Sequence, residues 1–350
     1  MAPLLPTKGF IFINLKGPVM SEKPRQNTIL VTGGAGYIGS HVVKALLGSG
    51  YKTIILDNLS TGSKELILSE VFIEGDIRDE TLITNILQKY KIRSVIHLAA
   101  KTSVPESIQN PMDYYDVNTF GTFILLKCCL QAKVDQFIFS SSAAVYGAPP
   151  YAVVSETSPL SPINPYGKSK GMCEQILQDI VNTSSMRAVS LRYFNVAGCD
   201  LEGKLGQISK NASHLIKKAS EAACGLSQNV PLYGTDYDTP DGTPVRDFIH
   251  VVDLADIHIK ALNYLEQKGK SITLNCGYGQ GFSVQEVLKT MQEIAKIPIT
   301  IIPKPRREGD CPMLIADCSK MQDLFKWTPK YNNLKTILQS ALDWEKSRQR

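Results

Sequence analysis

The chain has 350 residues, 43% of them hydrophobic, with 38 Lys and Arg against 33 Asp and Glu for a formal net charge of +5. That length and apolar content suffice for one large domain, or one large and one small, around a substantial core. The charge is mild, both signs are interspersed and no basic block occurs, which admits an anionic small molecule and argues against a nucleic-acid partner.

Residues 1–26 hold one short apolar stretch, 9–15, between Pro6 and Pro18. It is too short to span a bilayer and lacks a small-residue cleavage site, so neither a membrane anchor nor a secretory peptide is expected. Met20 offers a second start, and 1–26 reads as an N-terminal extension of unassigned purpose. Strands are then expected at 28–32, 52–56, 71–74, 94–98, 136–140 and 188–193. Between them come helices at 38–48, 80–90, 111–132 (one long helix) and 169–183. Strands alternating with helices predict an α/β fold: a Rossmann-type doubly wound parallel sheet, with functional groups just past the carboxyl ends of its strands.

After Asn195 the pattern changes. Helices are expected at 214–223, 252–265, 284–295, 319–325 and 334–348, with strands at 230–233, 272–275 and 299–302. The division is therefore a nucleotide-binding domain over 27–195 and a smaller, mainly substrate-binding domain over 196–350, whose segments return in part to the first. The eight cysteines (128, 129, 173, 199, 224, 276, 311 and 318) form no CxxC pair. They read as free thiols of a reducing, cytoplasmic compartment. Cys311 and Cys318 have no histidine near them, so no metal site is expected.

Gly34, Gly36 and Gly39 form G-x-G-x-x-G directly after a strand and at a helix start, with Tyr37 and Ile38 inside the motif. The glycines permit a tight turn and close approach of backbone to pyrophosphate, and the helix start supplies amide donors. Asp57 ends the second strand, placed for the ribose hydroxyls of an adenosine; its charge disfavours a 2′-phosphate and so favours NAD over NADP. Asp76 and Ile77 follow the third strand. Leu98, Ala99, Ala100 and Lys101 follow the fourth, the alanines admitting a cofactor and Lys101 reaching a ribose or phosphate. His97, in an apolar strand end, reads as a core or supporting histidine.

Tyr166 and Lys170 stand four apart at a helix start, hence on one face. A lysine beside a tyrosine stabilises the phenolate, so a lowered Tyr166 pKa and a base near neutral pH are expected. Ser142, past the fifth strand, can bond an oxygen that alternates between alcohol and carbonyl. With the glycine motif, Ser142, Tyr166 and Lys170 fit hydride transfer at a carbinol carbon.

Through these motifs the chain resembles the extended short-chain dehydrogenase/reductase family, and within it the UDP-glucose (UDP-galactose) 4-epimerases. The runs 57–62, 75–79, 140–147, 165–170, 191–198, 241–255 and 306–310 carry the likeness over roughly 28–345, and 241–255 is the most specific to epimerases. The resemblance implies tightly held NAD that is regenerated each turnover. It implies Tyr166 as base, Lys170 as its partner and Ser142 as hydroxyl relay. It adds Asn58, Ser60, Thr61, Gly62, Asn118, Ser140, Tyr193 and Phe194 to the cofactor site. Its substrate positions are Lys101, Ser142, Tyr166, Asn195, His214, Leu215, Tyr233, Arg246, Arg307 and Asp310. Arg246 and Arg307 also suit two phosphates by their fork-shaped donors. The family implies a UDP-sugar substrate and a homodimer built through helices of the nucleotide domain.

Two departures matter. His214 stands where many members have asparagine. Leu314 stands where some have a tyrosine that restricts the substrate, leaving room for an N-acetyl group; a UDP-N-acetylglucosamine 4-epimerase or a dual-specificity enzyme is the alternative reading. The strand end Ser142-Ala143-Ala144 lacks the carboxylates a nucleotide-sugar dehydratase needs. A NAD-binding scaffold without chemistry sits poorly with an intact Ser142, Tyr166 and Lys170.

Overall fold

Apolar runs with no polar alternation become strands buried on both faces of one parallel sheet. The computed structural model describes residues 27–208 and 214–349; the expected extension 1–26 lies outside the described residues. The first half runs β1 (Thr28–Thr32), α1 (Tyr37–Gly48), β2 (Lys52–Asp57), β3 (Val71–Glu74), α2 (Glu80–Lys89), β4 (Ser94–His97), α3 (Val104–Gln109), α4 (Pro111–Tyr114), a π-helical turn Tyr115–Phe120, α5 (Gly121–Gln131), β5 (Gln136–Ser142), β6 (Val153–Val154), α6 (Pro165–Thr183), β7 (Arg187–Tyr193) and β8 (Asn195–Ala197). The second half adds α7 (Leu215–Ala223), β9 (Val230–Tyr233), β10 (Val245–His250), α8 (Val251–Glu266), β11 (Ile272–Cys276), β12 (Gly281–Ser283), α9 (Val284–Ala295), β13 (Ile301–Lys304), β14 (Met313–Ala316), α10 (Ser319–Phe325) and α11 (Leu334–Ser347).

The main sheet has seven parallel strands in the order β11-β7-β5-β4-β1-β2-β3. Val42, Val43 and Leu46 of α1 and Ile257 and Leu262 of α8 cover one face. Ile83 and Leu87 of α2, Leu125 and Leu126 of α5, and Leu177 of α6 cover the other. This is the doubly wound α/β architecture that the alternation predicts. The chain order reverses between β1 and β4, so their carboxyl ends diverge into a crevice. Thr32 and His97 are in register there, with Thr32 Oγ1 2.7 Å from His97 Nδ1.

The second half sends α8 and the edge strand β11 back to this sheet. A separate core forms where α7, α9 and α11 pack around Ile216, Val287, Leu288, Ile337, Leu338 and Leu342. A five-stranded sheet, with β8 beside β10 and the path β12-β10-β14-β6, joins the two halves. Its strands were not expected: β6, β8 and β12 are two or three residues long, and β10 carries Arg246 and Asp247 at its centre. They form through pairings with distant segments, which leave no local period to read. The expected long helix 111–132 is helical throughout, but a π turn interrupts it at Tyr115–Phe120. Asn118 lies in that turn, and its side chain fastens the Lys101 segment. Among the described residues no helix is long and apolar enough to cross a membrane, and no group of three His, Cys, Asp or Glu is arranged to hold a metal.

Candidate active site

Gly33 leaves β1 at φ +74°, and a Cβ there would meet Ala99 N at 2.6 Å. At Gly39 a Cβ would fall 2.0 Å from Gly33 O. Only glycine therefore lets β1, the turn and α1 close so tightly. Gly36 is the N-cap and no side chain bonds the first amides of α1, which open on the crevice. The Asp57 carboxylate, buried at the end of β2, accepts from Ala35 N at 3.0 Å and from Leu59 N at 2.8 Å. Burial pushes its pKa up, against those two hydrogen bonds. Beyond it, Arg78 grips Asp76 with two nitrogens at 2.7 and 2.8 Å, and Asn58 donates to the same carboxylate at 2.9 Å. These contacts hold Asp76 down at about pKa 2. A bare backbone cradle, a helix start and an acidic strand end fit a dinucleotide: Gly33, Gly36 and Gly39 at the pyrophosphate, Asp57 at the adenosine ribose.

The neighbouring wall carries the reactive groups. Asn164 caps α6, its Oδ1 accepting from Gly167 N at 2.9 Å. A Cβ at Gly167 would lie 2.5 Å from Ala144 O, so the glycine lets α6 press against the turn after β5. Tyr166 and Ser142 are thereby juxtaposed. Ser142 Oγ accepts from Ala144 N at 3.2 Å, which leaves its proton free to donate. The Tyr114 ring stands edge-on to Tyr166, centroids 6.4 Å apart.

Tyr166 departs from expectation. Its pKa is raised by burial, and only the Ser142 hydrogen bond pulls it down. Lys170 is buried and turned to Ser140, donating from Nζ to the carbonyl at 2.8 Å, with its charge over the Phe139 ring at 5.0 Å. Burial lowers the Lys170 pKa to about 8. Lys170 therefore does not produce the expected lowering of Tyr166.

The opposite wall comes from the second half. Arg246 is ion-paired with Asp310 and donates to the carbonyls of Val245 at 2.8 Å and Cys311 at 2.7 Å. The Arg307 guanidinium lies 4.0 Å from the centre of the Tyr233 ring. His214 Nδ1 meets Gln207 Nε2 at 2.7 Å just before α7. Leu314 pairs with Arg246 across β14 and β10 and faces the same space. One cleft of about 1320 Å³ joins all three walls. That is larger than the roughly 300–1,000 Å³ of a single small-molecule site, as two ligands side by side require.

Residues 29–277 match the NAD dependent epimerase/dehydratase family. The chain belongs to that family. A UDP-glucose 4-epimerase of Azospirillum brasilense is 47% identical over 91% of this chain and 92% of its own length. Among solved structures, a UDP-glucose-4-epimerase of Stenotrophomonas maltophila, with bound NAD and formylated UDP-arabinopyranose, superposes with a TM-score of 0.89. It is 35% identical and covers 93% of this chain and 99% of that one. The UDP-Glc/GlcNAc 4-epimerase of Campylobacter jejuni is 45% identical with a TM-score of 0.80, covering 92% and 99%.

Of the residues anticipated for an epimerase/dehydratase site, all but two line the cleft. Gly34 faces inward, where a Cβ would meet Ile55 at 2.9 Å, so its role is helix–sheet closure. Asn118 is also behind the wall: it bonds Lys101 N and O at 2.8 and 3.0 Å and Ser169 Oγ at 3.0 Å. It shapes the Lys101 turn from behind the wall. Lys101 lines the cleft but is paired with Glu106 and Asp113, each at 2.9 Å. His97 is a core residue, bonded to Thr32 and Thr122, its pKa lowered to about 3 by burial and by Lys170.

Sequence reasoning missed Arg78, Lys217, Trp344 and Arg348, which also line the cleft. Arg78 follows a quoted motif residue and was legible. Trp344 and Arg348 lie on α11 and were not, because an amphipathic C-terminal helix signals only that one face is buried.

Proposed function

We propose that this chain interconverts UDP-glucose and UDP-galactose by transient oxidation at the sugar C4, with NAD held through the turnover. The observation that carries the reading is that Ser142, Tyr166 and Lys170 share one cleft with the glycine cradle on one side and Arg246 and Arg307 on the other. Family membership and the named relatives support the same reaction.

Bound NAD supplies a hydride acceptor in one half of the reaction and a donor in the other. The chain supplies orientation and proton handling. Tyr166, as the phenolate, takes the proton of the sugar 4-OH, becoming the phenol, and returns it after the ring has turned over. The Ser142 hydroxyl, which bonds Tyr166, relays between it and the sugar oxygen as that oxygen passes between alcohol and carbonyl. Arg246 and Arg307 hold the diphosphate while the sugar rotates about its link to it. Buried Lys170 donates to the Ser140 carbonyl at 2.8 Å and so fixes the end of β5 on which Ser142 stands.

A second copy is the expected partner. Met112, Phe120, Phe123 and Met172 are large apolar side chains exposed on α4, the π turn, α5 and α6; Met112 is 74% exposed. A patch of this kind on the helices of the nucleotide domain suits a homodimer. All eight cysteines are free, which supports a reducing, cytoplasmic compartment.

Leu314 supports a broader reading, in which the N-acetylated sugars are also substrates. Its side chain borders the sugar end of the cleft, and leucine occupies less of that space than tyrosine.

The test is purified protein given UDP-galactose, and separately UDP-N-acetylgalactosamine, without added NAD. Formation of UDP-glucose is expected. Turnover of the acetylated sugar alone would sink the leading substrate and keep the mechanism; turnover of neither would sink both.

A further inference from the structure

His258, outside every motif considered above, is tied to a residue that lines the cleft. It is fully buried in the middle of α8. Its Nδ1 lies 2.8 Å from the Leu254 carbonyl one turn earlier, and its Nε2 lies 2.6 Å from the Tyr193 hydroxyl. A carbonyl only accepts, so Nδ1 carries a proton and donates it. Burial lowers the imidazole pKa to about 4, so the ring is neutral at physiological pH. Nε2 of a neutral ring protonated at Nδ1 can only accept. Tyr193 must therefore spend its single proton on His258.

The consequence lies on the cleft side. The Tyr193 oxygen keeps its lone pairs for donors: the Ser140 side chain bonds to it, and Tyr193 itself lines the cleft. Burial holds the phenol far above its ordinary pKa, so it does not compete with Tyr166 as a base. Tyr193 ends β7, in register with Ser142 at the end of β5. Since hydride must leave the sugar where Tyr166 takes its proton, this end of the cleft belongs to the nicotinamide. A nicotinamide carries a carboxamide, whose N–H groups need an acceptor.

We propose that His258 is a positioning residue: by holding the Tyr193 proton it turns the Tyr193 oxygen into an obligate acceptor for the nicotinamide carboxamide, and so orients the ring. The proposal rests on the reading of the cleft as an NAD site. It concerns neither proton transfer nor substrate contact, because no atom of His258 reaches the cleft.

The test is a double-mutant cycle in the full-length protein with H258L, Y193F and their combination, plus H258Q, whose amide oxygen can still accept. Two readouts are taken: NAD retained per chain after gel filtration, and kcat and KM for UDP-galactose. H258L is expected to lower retained NAD severalfold and kcat about tenfold, with KM within about twofold, and H258Q to recover most of both. In the Y193F background H258L is expected to add nothing. Losses that multiply in the double variant, or an H258Q as impaired as H258L, overturn the proposal. If H258L does not fold, Y193F decides alone, because it leaves α8 intact: wild-type NAD retention in Y193F overturns it. A wild-type protein that holds NAD but epimerises nothing defeats the functional reading, while the retention series still decides this one.

Discussion

Lys170 Nζ donates to the Ser140 carbonyl at 2.8 Å and not to the Tyr166 hydroxyl one helical turn before it. The cation is thus engaged by a backbone carbonyl at the end of β5, and Ser142 alone draws the Tyr166 pKa down. Burial raises the Tyr166 pKa, so forming the phenolate calls for positive charge beside it. Bound NAD would add a positive charge to the cleft, and a nearby cation in a poorly solvated site shifts a pKa by whole units. Ultraviolet titration should find the Tyr166 phenol above the ordinary tyrosine range in NAD-stripped protein and markedly lower in the NAD-bound form. Equal titration in both would show that burial alone governs it. Tyr166→Phe should cost roughly 10²- to 10⁴-fold in kcat, read with UDP-galactose.

The start of α6 is a second point of control. Asn164 Oδ1 bonds Gly167 N, and Gly167 touches Ala144 O where any Cβ would collide. Asn164→Ala should lower stability by about 1 kcal/mol through the lost cap. Gly167→Ala must move α6 off the β5 turn and separate Tyr166 from Ser142. Its kcat should fall by more than that of Asn164→Ala although it raises intrinsic helix propensity. A kcat for Gly167→Ala equal to wild type would show that the close approach is not needed.

How far these features were legible depends on how local their causes are. Five elements (β1, β3, β9, α9 and α10) have the expected bounds, because apolar runs and periods between turns are local facts. The cleft was legible wherever a strand end carried a motif, since the doubly wound sheet gathers strand ends at one edge. Asn118 was placed one layer too far forward. A buried amide that bonds both N–H and C=O of Lys101 looks, in one dimension, like any residue near the site. The direction of the Tyr166 shift was misread because spacing four apart says that Tyr166 and Lys170 share a helix face, not that the lysine lacks a better acceptor. β10, β14 and the wall from α11 depend on pairings across more than 60 residues. His258 was illegible for the same reason, its partner lying 65 residues away.

Arg307 offers a separation of binding from chemistry. Its guanidinium lies over the Tyr233 ring, on the wall built by the second half of the chain. In the proposed reading it bonds the diphosphate equally in ground and transition states. Arg307→Ala should raise KM for UDP-galactose by about ten- to hundredfold with kcat nearly unchanged. A fall in kcat with KM unmoved would place Arg307 in the sugar-turning step instead.

Acid should unfold this protein early, because four histidines are buried in the neutral form. His41, His250 and His258 are lowered to about pKa 4 and His97 to about 3, each chiefly by burial. In the unfolded chain each binds a proton near pH 6.5, which the folded chain refuses. Their stabilisation is complete above about pH 6.5 and is lost as pH falls toward 4, at up to about 1.4 kcal/mol per pH unit for each. Asp247 works the other way: burial raises it to about 6, so the folded chain binds its proton first and gains on acidification. The histidines lead at the upper end of the window, since their unfolded-state titration starts above the point where Asp247 protonates. Urea midpoints should therefore drop between pH 7 and 5.5, and His258→Gln should flatten the slope by about one proton. A midpoint that holds or rises over that range would mean that the buried imidazoles find protons in the folded state.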